Sequence, residues 1–225
     1  MTRAVFFDVD FTLIHPGPKF QGAGYREACA RYGISVDAGA FDAAVAAASA
    51  TLDSQGGIYD PAVFISYTRR IIEGMGGSGQ SMDAAARDLY EEWSICHHFT
   101  LYEDVPEVLR LIHAAGIKIG LISNTQRCLA SFQTHFELEG LFSVAVSSAS
   151  HGYMKPHPSI FESALAQVGV DPADAVMVGD SLAHDIEGAR QTGMRAVLVS
   201  RSGQPVECPS DVPVIQSLRA LPALL

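Results

Sequence analysis

Residues 6–13 read FFDVDFTL (Phe6–Leu13), and the fold of the chain turns on how this stretch is read. Val5, Phe6 and Phe7 are strand-forming apolar residues, and they run straight into Asp8 and Asp10. A strand sends alternate side chains to the same face. The two aspartates would therefore stand side by side next to a core unless the strand stops at Asp8. Charges at the end of a buried strand are costly without partners, so the pair points to a site.

Composition sets the frame around this stretch. The chain has 225 residues, enough to bury a substantial core as one domain with a large insertion, or as two. Apolar residues make up 48% and charged residues 18%, a globular profile. The formal net charge of −10 and pI near 5.1 argue against nucleic-acid or membrane-surface partners, which need basic surface. An anionic substrate stays compatible, because a metal or a few local cations invert the sign of a site. Cys29, Cys96, Cys128 and Cys208 are far apart and form no CxxC pair, which favours a reducing cytoplasm over a disulfide framework or structural zinc. A first strand beginning near Ala4 leaves no room for a signal peptide. No apolar stretch approaches the ~20 residues of a membrane helix. The expectation is a soluble, cytoplasmic chain, with nothing to indicate its oligomeric state.

Beyond about residue 101, short apolar runs alternate with helical patterns. Strands are predicted at Ile117–Ile122, Phe142–Val146, Ala175–Val178 and Ala196–Val199. Val105, Val108, Leu109 and Ile112 follow the spacing of one helix face, as do Ile160, Phe161, Ala164, Leu165 and Val168 behind Pro158. Gly116 and Gly193 sit where helices end. Alternating strand and helix implies βαβ units and a mostly parallel sheet. A terminal strand is predicted at Val212–Ile215 and a last helix at Ser217–Leu224. Residues 16–98 lack strand signals and show helical spacing at Phe41, Ala44, Val45 and Ala48 and at Phe64, Tyr67 and Ile71, with Asp60 and Ser81 as N-caps. The glycine-rich GMGGSGQS run at 74–81 has no GK[ST] ending and no preceding strand, so it reads as a connector. The predicted fold is α/β: a Rossmann-like parallel-sheet core from residues 1–15 and 99–225, interrupted by an all-helical insertion at 16–98.

In a parallel sheet the residues just past the strand ends gather on one edge, where open α/β sheets bind ligands. Asp8, Asp10 and Thr12 follow the first strand. Ser123 and Asn124 end the second, Lys155 in GYMKPHP follows the third, and Asp180 and Asp185 in GDSLAHD follow the fourth. Here the sequence resembles the haloacid dehalogenase superfamily, whose members are largely Mg2+-dependent phosphatases. The resemblance covers essentially the whole chain: DVDFT, Ser123, Lys155 and GDSLAHD stand in family order. The helical insertion sits where that family's first type of cap domain lies.

Residue chemistry leads the same way. Four carboxylates converge with Lys155 as the nearby cation, and like charges in close quarters raise one another's pKa. A hard divalent cation with oxygen ligands resolves this, and Mg2+ suits a few carboxylates plus a substrate phosphate. A carboxylate can also attack phosphorus, splitting one hard hydrolysis into two easier steps. By resemblance, Asp8 is the nucleophile and a metal ligand. Asp10 is the acid and base, with its carbonyl on the metal. Ser123 binds phosphoryl oxygens with Asn124 as helper, Lys155 neutralises the phosphoryl group and orients Asp8, and Asp180 ligates Mg2+. Asp185 acts through water or holds Lys155, and Thr12 supports the loop. Phe11, where the family most often has glycine, and His15 are candidates to face the substrate.

The implied activity is hydrolysis of a small phosphorylated metabolite through an aspartyl-phosphate. A β-phosphoglucomutase-like phosphotransferase and a non-catalytic binding module on the same fold remain alternatives. Asp10 argues against a 2-haloacid dehalogenase, since dehalogenases of the superfamily lack the second aspartate. His97 and His98 are adjacent and should diverge, a poor metal geometry. His157 and His184 read as hydrogen-bonded or solvated side chains, and Trp93 as packing in the helical insertion.

Overall fold

A computed structural model describes residues 1–53, 57–203 and 206–225. Two compact units divide the chain: residues 1–15 with 101–225, and residues 16–100. The strands are β1 (Ala4–Phe7), β2 (Ile14–Pro16), β3 (Phe99–Leu101), β4 (Lys118–Ser123), β5 (Val144–Ser147), β6 (Ala175–Gly179), β7 (Arg195–Val199) and β8 (Val214–Ile215). Six of them form one sheet in the order β5-β4-β1-β6-β7-β8, with every pair parallel. β2 and β3 pair separately.

The first unit is thus a Rossmann-like parallel sheet with β1 at its centre. Its register brings the strand ends level: Phe7 stands opposite Leu121 of β4 and Val178 of β6. All four residues of β1 are buried, as a strand flanked on both sides and covered on both faces requires. Phe6 packs with Ile122, Val144, Ile160, Phe161 and Met177 in one cluster. Gly120 makes room for this ring, since a Cβ there would lie 2.5 Å from Phe6 Cδ1.

The second unit carries helices α1 (Gly22–Ala30), α2 (Phe41–Ala48), α3 (Ala50–Asp53), α4 (Pro61–Gly74) and α5 (Met82–Glu92). Asp60 caps α4 by accepting from Ala62 N at 2.9 Å, with Pro61 as first helical residue. Ser81 occupies the corresponding place before α5, but its side chain makes no cap hydrogen bond; its backbone is not extended, as a side-chain cap prefers. The 74–81 run joins α4 to α5. Trp93 packs on Phe20 and Phe99, with ring centroids 4.5 and 5.0 Å away. His97 and His98 lie in a one-turn 3-10 helix, Cys96–His98, and their rings do not diverge as expected but sit 4.2 Å apart.

Among the described residues, five α-helices belong to the first unit: α6 (Val105–Ala114), α7 (Leu129–His135), α8 (Ser148–His151), α9 (Pro158–Val168) and α10 (Glu187–Gln191). The periodic residues of α6 and α9 are buried, and Gly169 closes α9 in the left-handed conformation. Several boundaries depart from the sequence pattern by one or two residues. β4 extends to Ser123 because Ser123 pairs with Ser147, and β5 starts two residues late, at Val144. The last helix is a tight spiral, Leu218–Leu224, with Pro222 inside it. Among the described residues, no helix is long and apolar enough to cross a membrane.

Candidate active site

The site grows from the place where β1 stops. Asp8 N still donates to Val178 O at 2.9 Å, after which the chain curls: Leu13 N and Ile14 N both bond Val9 O, and Phe11 N bonds Ile14 O. This curl turns Asp8 and Asp10 away from the strand and places Phe11 at φ +62° with 44% of its surface exposed.

Lys155 lies directly beside Asp8. It is 3% exposed, and its Nζ donates to Asp8 Oδ1 and to Asp185 Oδ1, both at 2.6 Å. Its backbone is clamped by one side chain: Lys155 N donates to Asn124 Oδ1 at 2.7 Å, and Asn124 Nδ2 donates to Lys155 O at 2.9 Å. The Asn124 amide thus holds the Lys155 backbone from both sides. Ser123, at the end of β4, is buried. Asp185 lies in a π-helical turn, Leu182–Ile186, where its Oδ2 accepts from Ser181 N at 3.0 Å. Asp185 thus touches Lys155 through one oxygen and the Ser181 backbone through the other.

One carboxylate oxygen each from Asp8, Asp180 and Asp185 lies within 4.8 Å of the others. Burial pushes Asp8 up to about 7, against the pull of Lys155, and Asp185 and Asp10 add to the rise. Asp180 stays solvent-accessible, yet the protein gathered around it raises its pKa well above the usual carboxylate range, and the charges of Asp8 and Asp185 raise it further. For Lys155, burial alone would lower the pKa; Asp185 and Asp8 outweigh it and raise the ammonium above its ordinary value. The cluster is thus hard-oxygen, over-negative and compact, which fits a hard divalent cation such as Mg2+.

Asp10 points elsewhere. Its two oxygens accept from Arg127 Nη1 at 3.0 and 3.1 Å, and the Arg127 side chain has no exposed surface. Lys155 is therefore not the sole cation among these carboxylates. The sequence signal for Arg127 was its place in SNTQR, four residues past Ser123; matching each acid to a cation would have raised it. The C-terminal segment also contacts the loop after β1. Arg201 donates to Thr12 O and to Asp104 Oδ2, both at 2.7 Å, and stacks 4.0 Å over the Tyr102 ring. Thr12 is anchored through its carbonyl, while its buried hydroxyl has no partner. His15 lies 5.0 Å from the Tyr102 ring, His157 caps α9 by accepting from Ser159 N, and His184 Nδ1 is 3.1 Å from Ser181 Oγ.

Comparisons with known proteins agree with this geometry. Residues 2–193 match the family model of haloacid dehalogenase-like hydrolases. A curated relative from Xenopus laevis, "Haloacid dehalogenase-like hydrolase domain-containing protein 3", is 33% identical over 56% of this chain and 51% of its own. A phosphoserine phosphatase from Thermus thermophilus is 29% identical over 61% of this chain and 54% of its own. The chain spans about half the length of the curated relatives it matches. The crystal structure of a HAD phosphatase from Thermococcus onnurineus superposes with a TM-score of 0.67 at 25% identity, covering 100% of this chain and 97% of the other.

Proposed function

This chain belongs to the haloacid dehalogenase-like hydrolases, and from that premise we propose that it hydrolyses a small phosphorylated metabolite with Mg2+, through an aspartyl-phosphate on Asp8. The observation that carries the reading is the double contact of Lys155 Nζ with Asp8 and Asp185 beside the three-carboxylate cluster. On this reading Lys155 orients the nucleophile, next to carboxylates that would hold a hard metal.

Asp8 attacks phosphorus, the bond from phosphorus to the leaving oxygen breaks, and Asp10 donates the proton that the leaving oxygen takes. Water then attacks the phosphorus of the aspartyl-phosphate, Asp10 accepts its proton, and the Asp8 carboxylate is released. Lys155 neutralises the transferring oxygens and keeps Asp8 aimed, and Ser123 hydrogen-bonds them. Asp8, Asp180 and the Asp10 carbonyl would hold Mg2+, and Asp185 keeps Lys155 in place. Bound there, the metal supplies charge neutralisation for the phosphoryl group. The phosphatase name of the Thermus relative supports the reaction class.

The test is release of phosphate from p-nitrophenyl phosphate and from a panel of phosphorylated metabolites, with and without Mg2+. We expect Mg2+-dependent turnover by the wild type and none by a folded Asp8→Asn variant. Robust turnover by Asp8→Asn removes the nucleophile assignment. No turnover of any panel member by folded wild type favours a binding module.

A further inference from the structure

Asp10 has a buried cation against it that takes no part in the steps above. We infer that Arg127 is the positioning residue for Asp10, fixing the orientation from which its carboxyl group gives and takes protons; the inference rests on the role of Asp10 proposed above. Arg127 is the largest fully buried side chain among the described residues. A guanidinium does not shed its proton, so burial on this scale demands a partner, and removing one member of such a pair is costly. Arg127 Nη1 reaches both oxygens of Asp10, at 3.0 and 3.1 Å.

The pair joins the loops that follow two neighbouring strands, since β1 and β4 run in register from Ala4 with Lys118 to Phe7 with Leu121. The turn that carries the cation is itself braced. Arg127 N donates to Thr125 Oγ1 at 3.0 Å, Thr125 N to Ser123 O at 3.1 Å, and Ala149 N to Thr125 O at 3.3 Å. A carboxylate offers about four lone-pair sites, so one Nη shared between its oxygens fixes the group and leaves each oxygen able to exchange a proton. The Arg127 side chain has no exposed surface, and its guanidinium lies against the Asp10 carboxylate. It acts through Asp10.

A brace that only tied two loops together would slow all substrates alike, whereas a positioning residue for the acid matters most when the leaving group needs a proton. The test compares kcat/KM with Mg2+ for phenyl phosphate, whose phenoxide leaves poorly, and p-nitrophenyl phosphate, whose leaving group needs less help. General acid catalysis is worth about a hundredfold or more. We expect Arg127→Met to lose about tenfold more on phenyl phosphate than on p-nitrophenyl phosphate. Asp10→Asn should show the same bias, and the double variant should match Asp10→Asn alone. Equal losses on both substrates in Arg127→Met, with the bias present in Asp10→Asn, overturn the inference and leave the proposed reaction standing. Equal losses in Asp10→Asn overturn the acid role and the inference with it. If Arg127→Met does not fold, Arg127→Lys decides: it keeps the charge and loses the planar group, so a leaving-group bias supports the inference and wild-type behaviour overturns it.

Discussion

Phe11 holds a φ of +62°, a conformation that costs an L-residue with a Cβ roughly 1–2 kcal/mol. Strain of this kind clusters at functional sites, and Phe11 stands one residue past Asp10 with 44% of its surface exposed. We propose that the exposed part of the ring meets a ligand. Phe11→Gly relieves the strain but adds unfolded-state entropy of about 0.5–1 kcal/mol. Its melting temperature should therefore move little, while KM or substrate preference shifts and the Mg2+ requirement stays. Thermal scans with a KM series over the metabolite panel read both, and an unchanged substrate profile would remove Phe11 from the pocket. At this scale the sequence made Asp8, Asp10 and Phe11 legible because they are local to one motif. The pairing of Arg127 with Asp10 was not legible, because the two lie 117 positions apart and only the adjacency of two strands joins them.

Asp185 and Lys155 depend on the element that delivers them. β6 ends at Gly179, where an added Cβ would lie 2.2 Å from Asp185 Oδ2. That contact is too close for any side chain, so Gly179→Ala must displace the carboxylate that holds Lys155. Because Lys155 also aims Asp8, kcat should fall about tenfold or more, with far-UV circular dichroism unchanged. Wild-type kcat in Gly179→Ala would mean that the Asp185 contact does not position Lys155. The elements themselves were readable, since α6 and α9 show a full apolar face and the sheet strands are short apolar runs. Boundaries were less so. The extension of β4 to Ser123 depends on pairing with Ser147, and the missing cap bond at Ser81 depends on backbone angles that a serine does not specify.

Across the whole molecule, the folded first unit gathers acidic groups that an unfolded chain keeps apart. The pKa of Asp8 rises from 3.8 to about 7 on folding without metal, and that of Asp180 moves in the same direction. Between about pH 4 and 7 the unfolded chain therefore holds fewer protons than the folded one, so metal-free stability falls as pH rises through that window. Divalent metal binding needs the ionised carboxylates, so Mg2+ should stabilise the protein more at about pH 8 than at about pH 5. Melting temperatures with chelator and with Mg2+ across this range check it, and an Mg2+ effect independent of pH would contradict it. The parallel sheet was legible from strand and helix alternation, and the level strand ends followed from it. What the alternation does not contain is the pairing of charges at those ends, which the three-dimensional register creates. The central claim is that Asp8 becomes phosphorylated, and the most direct measurement is an acid-quenched single turnover with a radiolabelled phosphoryl donor and Mg2+. A hydroxylamine-sensitive label is expected on the peptide containing Asp8 and is expected to be lost in Asp8→Asn. Turnover without label on that peptide, or label on another residue, would contradict it.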